Sequence, residues 1–260
     1  MHPVILRIGS LEIRSWGVFV LTGFLVGIWL AAREAKRNGY SPDAVVDIGS
    51  FIVILAMIGS RIFYALYHPE QFAHNPLEIF AIWHGGLVFY GGVIFAIITA
   101  IIGAKIKRIP LWKLADWAAP GFAIGLAIGR WGCFFNGCCY GKPTNSVFGV
   151  SFKPGSPAFN EFGAMKLHPT QIYESVGNFL IFLLLLKIRR KYRLPDGVLF
   201  GIYMVLGPFV RFLDDFYRAY EPSTYVAFGL TINQFIAIAL MLWGAGLIAV
   251  KMWKRQPATS

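Results

Sequence analysis

The stretch GFAIGLAIGRWGCFFNGCCYGK, residues 121–142, begins as an apolar run and ends in a polar, glycine-rich segment. Arg130, Asn136 and all three cysteines of the chain follow one another at that end. An apolar run of this kind predicts a helix that crosses a bilayer, because about 20 such residues are needed to span the hydrocarbon core. The polar end predicts a functional site near the membrane surface, since ionisable groups within spans are costly and usually serve a purpose.

The rest of the chain has the same character. Of its 260 residues, 57% are hydrophobic and 14% are charged, and the mean hydropathy is +0.59; a soluble domain carries about 25% charged residues. These values predict an all-α polytopic membrane protein with seven transmembrane helices. The candidate spans are residues 16–32, 45–66, 84–103, 114–133, 172–186, 198–216 and 227–250.

The positive charge lies in the connections between the predicted spans. Every second connection is basic, which is the distribution expected when those connections lie in the cytoplasm. The N-terminus is therefore predicted outside and the C-terminus inside. Because topology explains the net charge of +11, no nucleic-acid partner is expected. The four basic segments are residues 33–37, 105–113, 187–193 and 251–255.

Two segments are predicted to lie on the outer face. Residues 1–15, MHPVILRIGSLEIRS, predict a short hairpin or an interfacial segment, turning at Gly9-Ser10, rather than a cleavable signal peptide, because a compact apolar core is missing. Residues 137–171 form the long outer loop between spans 4 and 5. No second, soluble domain is indicated, so residues 1–260 are expected to form a single integral-membrane domain.

Several ionisable residues fall within the predicted spans. Asp116 and Glu174 lie near predicted helix starts, where the helix dipole favours an acid. Arg61, Arg130 and Arg211 fall toward the outer halves of their spans, and they suit a phosphate-bearing substrate because arginine binds phosphate bidentately and stays charged. A structural arginine–carboxylate network explains the same spacing equally well, and snorkelling explains Arg61 and Arg211. The remaining ionisable residues are Asp214 and Asp215, with Arg218 just beyond.

The stretch WHGGLVFYGG, residues 83–92, carries two pairs of glycines. Paired glycines allow a close approach of another backbone or of a ligand, and packing alone accounts for them. Tyr90, between the pairs, is either an interfacial aromatic or a hydroxyl directed at substrate.

The stretch HPTQIYES, residues 168–175, begins with a Pro-Thr pair that predicts a helix start. Capping does not account for His168, Gln171 and Tyr173 together. These residues predict a group of hydrogen-bonding side chains on the outer face, near the stretch that contains Arg130.

The cysteines Cys133, Cys138 and Cys139 have the spacing C-x4-C-C. Zinc sites usually show C-x2-C pairs or matching histidines, so this spacing predicts no metal site. A disulfide fits an oxidising outer compartment, and buried apolar thiols fit equally well. A catalytic thiol would need a lowered pKa, which Arg130 could provide.

Three motifs together resemble a known family. GRWGCFFNGCCYG resembles the signature of prolipoprotein diacylglyceryl transferase, Gly-Arg-x-Gly-Asn-Phe-x-Asn-x-Glu-x-x-Gly. HPTQIYE is similar to the family's His-Pro-Ser-Gln-Leu-Tyr-Glu, and GGLVFYGG to its Gly-Gly-x-x-x-His-Gly-Gly. The resemblance covers essentially the whole chain. The residues that match the signature are Gly129, Arg130, Gly132, Phe134, Asn136 and Gly141.

The resemblance implies a seven-span enzyme of the bacterial plasma (inner) membrane. Such an enzyme transfers diacylglyceryl from phosphatidylglycerol to the lipobox cysteine of a prolipoprotein signal peptide, and leaves a thioether and glycerol phosphate. Its partners would be phosphatidylglycerol, prolipoprotein signal peptides and the lipid bilayer, with no cofactor and no metal. The resemblance places the catalytic role on Arg130, Arg211 and Tyr90. The predicted substrate-binding residues are Arg130, Asn136, Gly141, Arg61, His168, Gln171, Glu174 and Asp215.

The sequence departs from the family pattern where a base would be needed. Tyr90 stands where the family often has a histidine, and tyrosine with a pKa of about 10 is a poor base near neutral pH. Either the base is not essential, or another group such as His84 or His168 takes the role. Alternatively, the chain is a diverged member with a different acceptor or with lipid binding only. A transporter of an anionic solute is an alternative of another class. Transport is disfavoured because the polar residues cluster toward the outer side, with Asp116 the main exception.

Overall fold

The computed structural model describes residues 4–8, 11–72, 76–81 and 85–254, and most of them are helical. The chain begins with an antiparallel hairpin of β1, Val4–Ile8, and β2, Leu11–Arg14. The predicted N-terminal strand pair is thus confirmed. Its predicted turn at Gly9-Ser10 lies outside the described residues.

Nine helices follow in the described ranges. By length and composition, six of them can cross a membrane: α1, α2, α4, α5, α7 and α9 as bounded below. The chain is therefore a mostly helical, multi-pass membrane protein. The predicted span 198–216 corresponds to α8, which has only 17 residues. The helices are α1, Ser15–Arg37; α2, Pro42–Tyr67; α3, Pro69–Phe72; α4, Phe89–Ile106; α5, Leu111–Asn136; α6, Pro157–Phe162; α7, Thr170–Lys191; α8, Val198–Asp214; and α9, Ile232–Trp253.

The long helices expose large apolar side chains. Phe24, Trp29 and Leu180 are 47%, 57% and 59% exposed, respectively. Such side chains are stable only against an apolar solvent, because apolar surface in water is unfavourable. The exposed faces therefore fit the lipid of a bilayer.

The described residues form two compact units, one from residues 1–30 and 115–260 and the other from residues 31–114. In the first unit, α1 and α5 approach through glycines. A Cβ built on Gly23 would lie 2.7 Å from the carbonyl oxygen of Gly125, so this crossing tolerates no side chain there. Beside it, a buried apolar cluster joins α5, α7 and α8 through Ala119, Ala123, Ile181, Leu185 and Leu199.

Asp116 was predicted to interact with the first turn of its own helix, α5. It instead caps the start of α8. Its carboxylate, on α5, accepts hydrogen bonds from the backbone N–H groups of Gly197 and Phe200, each at 2.7 Å. Unpaired N–H groups at a helix N-terminus favour an acid for both hydrogen-bonding and dipole reasons. Asp116 thus fixes the beginning of α8.

In the second unit, α2 packs on α4. A Cβ on Gly91 would lie 2.5 Å from the carbonyl oxygen of Gly59, and one on Gly92 would lie 2.5 Å from Oγ of Ser60. This glycine pair therefore serves close helix packing. α4 begins at Phe89 rather than near residue 84 as predicted, because the preceding residues are held outside the helix by Arg61, as described below.

Small elements fill the connections of the first unit. The predicted outer loop 137–171 contains α6 and a two-stranded sheet of β3, Val150–Ser151, and β4, Lys166–Leu167. Phe152, Ala158 and Leu167 form a buried core within it. A hairpin of β5, Tyr225–Ala227, and β6, Leu230–Thr231, precedes α9, so that helix begins five residues later than predicted. A short 3-10 helix, Pro222–Thr224, also lies in the first unit, and another, Pro76–Phe80, lies in the second.

Candidate active site

Glu174 is the centre of an ionic cluster in the first unit. Its carboxylate is 5% exposed. One oxygen accepts from Nη2 of Arg130 at 2.7 Å and the other from Nη1 of Arg211 at 3.2 Å. The helix that carries Glu174 begins at Thr170, as predicted, but Glu174 lies in its second turn. Its pairing with two arginines, and not the first-turn dipole expected from sequence, explains its position.

Asp215, directly after α8, anchors the second arginine. Its carboxylate is 0% exposed and lies 3.0 Å from Nη2 of Arg211. The hydroxyls of Tyr220 and Thr231 donate to it at 2.8 and 2.9 Å. Burial raises the pKa of the Tyr220 phenol to about 12, so the phenol remains a donor at neutral pH. Asp215 is thus enclosed, and it acts on Arg211 rather than on an incoming molecule.

The cluster contains a further carboxylate and a further guanidinium. The Asp214 carboxylate, at the end of α8, is buried and has no hydrogen-bond partner among the described residues. Arg218 adds a third guanidinium, with Nη1 3.9 Å from Glu174. Nε of Arg130 is buried and has no acceptor among the residues that the structure describes. The Arg130 and Arg211 side chains remain 18% and 23% exposed. Arg130 and Arg211 are therefore the two cations at the surface of the cluster, and guanidiniums exposed in this way suit an anion.

A glycine C-cap shapes the loop after α5. Gly137 has φ +71°. Its N–H donates to Phe134, and the N–H of Cys138 donates to Cys133, each at 3.1 Å. These two bonds form the Schellman motif, which stops the helix and turns the chain back on itself. The half-buried Asn136 is the last helical residue before this turn.

The HPTQIYES stretch holds the same loop in place. Thr170 Oγ1 donates to the carbonyl of Cys139 and Gln171 Nε2 to that of Cys138, each at 2.7 Å. Both side chains are almost fully buried. This stretch therefore lies next to the stretch that contains Arg130, as predicted. The contacts between them are hydrogen bonds from side chains of the first to backbone carbonyls of the second.

Gly141 and His168 meet where the loop leaves the cluster. The N–H of Gly141 donates to the carbonyl of His168 at 2.9 Å. A Cβ on Gly141 would lie 2.6 Å from the carbonyl of Tyr217, so only glycine fits. His168 Nδ1 lies 3.1 Å from the hydroxyl of Tyr173.

The three cysteines converge beside Arg130. Their Sγ atoms all lie within 4.8 Å of one another, none is in a disulfide, and Cys133 Sγ lies 4.0 Å from Nη1 of Arg130. Hydrogen bonds with the Cys133 and Cys138 thiols, together with the Arg218 and Arg130 guanidiniums, hold the pKa of the Cys139 thiol below its ordinary value.

Arg61, in the second unit, has a different environment. Its side chain is buried, and its Nε, Nη1 and Nη2 atoms donate to five backbone carbonyls between residues 78 and 86. The rings of Tyr64 and Phe72 lie 5.5 and 5.2 Å from its Cζ. All five N–H groups of a guanidinium are thus used within its own unit. The acceptors are Glu78, Ile79, Ala81, Gly85 and Gly86.

Tyr90 also belongs to the second unit. It is the second residue of α4, is 54% exposed, and its ring contacts Phe89 with centroids 5.8 Å apart. Its predicted catalytic role stays a prediction. His84, the alternative base, lies outside the described residues.

Sequence reasoning missed the residues that support Arg211. Tyr220 and Thr231 come from the hairpin region before α9, and nothing in their local pattern points to Asp215. Thr231 did carry a signal of its own, because a Thr three residues before Gln234 is a capping box. That signal predicts the start of α9 but not the ionic contact.

The fold and the site define a class: a multi-pass membrane protein with an anion-receptive arginine cluster at one end of its helices. The model of the prolipoprotein diacylglyceryl transferase family matches residues 3–250. The chain belongs to this family.

The chain is similar to proteins named phosphatidylglycerol–prolipoprotein diacylglyceryl transferase, of which three serve as examples. The protein of Trichormus variabilis is 38% identical over 211 residues, which is 78% of this chain and 73% of the relative. That of Bacillus licheniformis is 34% identical over 256 residues, with 98% and 94% covered. That of Oceanobacillus iheyensis is 36% identical over 244 residues, with 92% and 84% covered.

Proposed function

We propose that this protein transfers the diacylglyceryl group of phosphatidylglycerol to the lipobox cysteine thiol of prolipoproteins. Family membership and the names of the relatives support this reaction. One observation carries the assignment to a site: Arg130 and Arg211 share the Glu174 carboxylate and still present guanidinium surface. A phosphate ester held there would lie among charges that are already oriented.

The reaction forms a carbon–sulfur bond and breaks the bond between a glycerol carbon and the phosphate oxygen. The electron pair leaves with the phosphate, so negative charge gathers on glycerol phosphate as the bond breaks. Preorganised positive groups stabilise that charge without reorganising, which is the largest single contribution to many enzymatic rates. Arg130 and Arg211 fill this role, and Glu174 and Asp215 keep them in place.

The remaining predicted residues fit around this centre. Asn136 and the backbone at Gly141 are proposed to contact the headgroup from the loop after α5. Gln171 and His168 are proposed to hold that loop, since their contacts are made within it. Arg61 is proposed to act indirectly, by fixing the connection before α4, and Tyr90 remains the candidate catalytic hydroxyl of the second unit.

The topology proposed for this enzyme has seven spans, with α8 as the additional one. At about 1.5 Å per residue its 17 residues extend about 25 Å, close to the thickness of a hydrocarbon core. The basic segments lie at the carboxyl ends of α1, α4, α7 and α9. The positive-inside rule then puts the N-terminus and the arginine cluster outside and the C-terminus in the cytoplasm of a bacterial inner membrane. Because the family model runs through almost the entire chain, residues 1–260 are proposed to act as a single domain.

The test is product formation by purified protein in phosphatidylglycerol bilayers with a lipobox peptide. Mass spectrometry would follow the thioether-linked diacylglyceryl peptide for wild type, Arg130→Ala and Lys153→Ala. Lys153 is an exposed lysine of the outer loop and serves as the matched charge control. We expect Arg130→Ala to lower kcat/KM by at least about 100-fold and Lys153→Ala to leave it unchanged. No product from folded wild type that still binds the lipid would favour a diverged member with another acceptor.

A further inference from the structure

The three cysteines form a cluster that the proposed reaction does not use. They are all the cysteines of the chain, and their sulfurs lie within 4.8 Å of one another. The spacing C-x4-C-C predicted no metal site because it lacks a C-x2-C pair. The folded backbone supplies the convergence that the spacing does not show.

Two backbone features bring the sulfurs together. In the Schellman motif the residue after the glycine folds back onto the last turn of the helix, and here those two residues are Cys138 and Cys133. Cys139 then takes a left-handed conformation, with φ +61°. Such a conformation is uncommon for a residue with a side chain. Gln171 and Thr170 donate to the carbonyls of Cys138 and Cys139, so the backbone that carries these two cysteines is fixed by the fold.

We propose that Cys133, Cys138 and Cys139 bind a zinc ion with one coordination position open, and that this position takes the lipobox thiol as a thiolate. This inference rests on the proposed function, because only a thiol acceptor would need such a site. Three protein ligands with a fourth open position are typical of catalytic zinc.

The distances suit the ion. Zinc–sulfur bonds of about 2.3 Å in a tetrahedral site place the sulfurs about 3.8 Å apart. The three Sγ atoms are now up to 4.8 Å apart. They would need to approach one another by about 1 Å to reach the zinc-bound separation. One divalent ion and three thiolates leave a negative charge, which Arg130 offsets, since its Nη1 atom lies 4.0 Å from Cys133 Sγ.

The location also suits the chemistry. Cys133 lies 4.0 Å from the guanidinium of Arg130. The thiolate would therefore form beside the group that holds the departing phosphate. Two carboxylates of the cluster are not free to take the thiol proton: both oxygens of Glu174 accept from arginines, and Asp215 is enclosed.

The step balances without an oxidant or a reductant. The lipobox thiol loses its proton to water on binding the ion, because a coordinating thiol is deprotonated. Its sulfur bonds to the glycerol carbon of phosphatidylglycerol, and the carbon–oxygen bond to phosphate breaks. The phosphate leaves with the electron pair and is neutralised by Arg130 and Arg211. The neutral thioether is a weak ligand, so the product is released.

Metal binding is tested first, by a readout that does not depend on activity. Purified reduced protein, stripped of metal, would be titrated with Co²⁺, whose thiolate complexes absorb strongly by sulfur-to-metal charge transfer. We expect about one ion per chain in wild type and in Arg130→Ala, and none in Cys133→Ser, Cys138→Ser or Cys139→Ser. Adding a lipobox peptide should increase the charge-transfer absorption, and a peptide with serine in place of the lipobox cysteine should not. No binding by wild type, or oxidation of two cysteines to a disulfide in the protein as isolated, would overturn the inference.

Transfer is tested second, on the same preparations. The inference predicts that removing the metal abolishes product formation and that Zn²⁺ restores it. Product formation by metal-free protein at the full rate would overturn the inference and leave the proposed function intact. Metal binding with no transfer by any form would instead overturn the proposed function and the thiol-activating role with it. Arg130→Ala separates the two claims, since it should lose transfer and keep the metal.

Discussion

Arg61 and Arg130 were predicted for the same task, and the structure gives them opposite environments. Arg61 donates all its N–H groups to backbone carbonyls of its own unit. Arg130 shares a carboxylate with Arg211 and keeps an unused, buried Nε among the described residues. A buried arginine is therefore an anion site only when its own chain leaves donors unused. The carbonyls around Arg61 use all of its N–H donors, whereas the carboxylate shared by Arg130 and Arg211 holds them in position and leaves donors unused.

The largest effect is expected for Arg61→Ala. The substitution would leave five carbonyls of the connection before α4 without their donor. Since each unsatisfied buried group costs about 1–3 kcal/mol, we expect a loss of at least about 3 kcal/mol of stability. Thermal unfolding in detergent measures it. Full stability combined with lost affinity for phosphatidylglycerol would instead make Arg61 a substrate ligand and remove the contrast with Arg130.

Glu174→Gln tests the other half of the contrast. The amide keeps the shape of the carboxylate, but its NH2 group cannot accept from an arginine, so one guanidinium loses its anchor. Misplacement of about 1 Å costs about 100-fold in rate, and we expect a fall of that size in kcat/KM for peptide modification. The structurally separate cap variant Asp116→Asn is the control and should lower stability without this loss. Equal effects of both variants on the rate would contradict a positioning role for Glu174.

Tyr220→Phe should have a smaller effect. It removes one hydroxyl that donates to Asp215 and accepts from Arg211 at 2.6 Å, while the ion pair remains. A hydrogen bond to a charged group contributes about 1.5–3 kcal/mol. Because the ion pair remains, we expect the lower end of this range, about a tenfold loss in kcat/KM. A loss as large as that of Glu174→Gln would show that Tyr220 contacts the substrate itself.

The same tyrosine makes a prediction for pH. Its pKa is raised to about 12 in the folded state, chiefly by burial, above the value of about 10 for an unfolded tyrosine. The stability it contributes is therefore complete below pH 10 and is lost as the pH rises toward 12. The Tm difference between wild type and Tyr220→Phe should be constant up to about pH 10 and then shrink. A difference that grows above pH 10 would mean that the tyrosinate form is the one stabilised.

Much of this architecture can be predicted from the sequence. Apolar runs predict the long helices, and the Pro-Thr pair at residues 169–170 marks the start of α7. Both signals are local in sequence. The length of an apolar run is interpreted through the thickness of the bilayer, and the Pro-Thr pair through the rules of helix capping. The signature around Arg130 also located the cluster, because a charged residue inside an apolar run is costly in a bilayer and usually belongs to a functional site.

The partners of the charged residues could not be predicted in the same way. Arg61 meets carbonyls that lie 17–25 residues away in a connection of irregular shape. Asp116 caps a helix 81 residues further on. Such contacts depend on tertiary packing and leave no periodic trace. The approach of Cys138 to Cys133 is an exception, because Asn136-Gly137 at a helix end predicts a Schellman turn.

We propose that Arg130 and Arg211, and not Arg61, hold the phosphate of the lipid donor. Native mass spectrometry of protein purified in lipid-free detergent and titrated with phosphatidylglycerol tests it most directly. We predict that Arg61→Lys, if folded, binds the lipid like wild type, and that Arg130→Ala combined with Arg211→Ala does not bind it. Binding retained by the double variant, or lost only in Arg61→Lys, would contradict the claim.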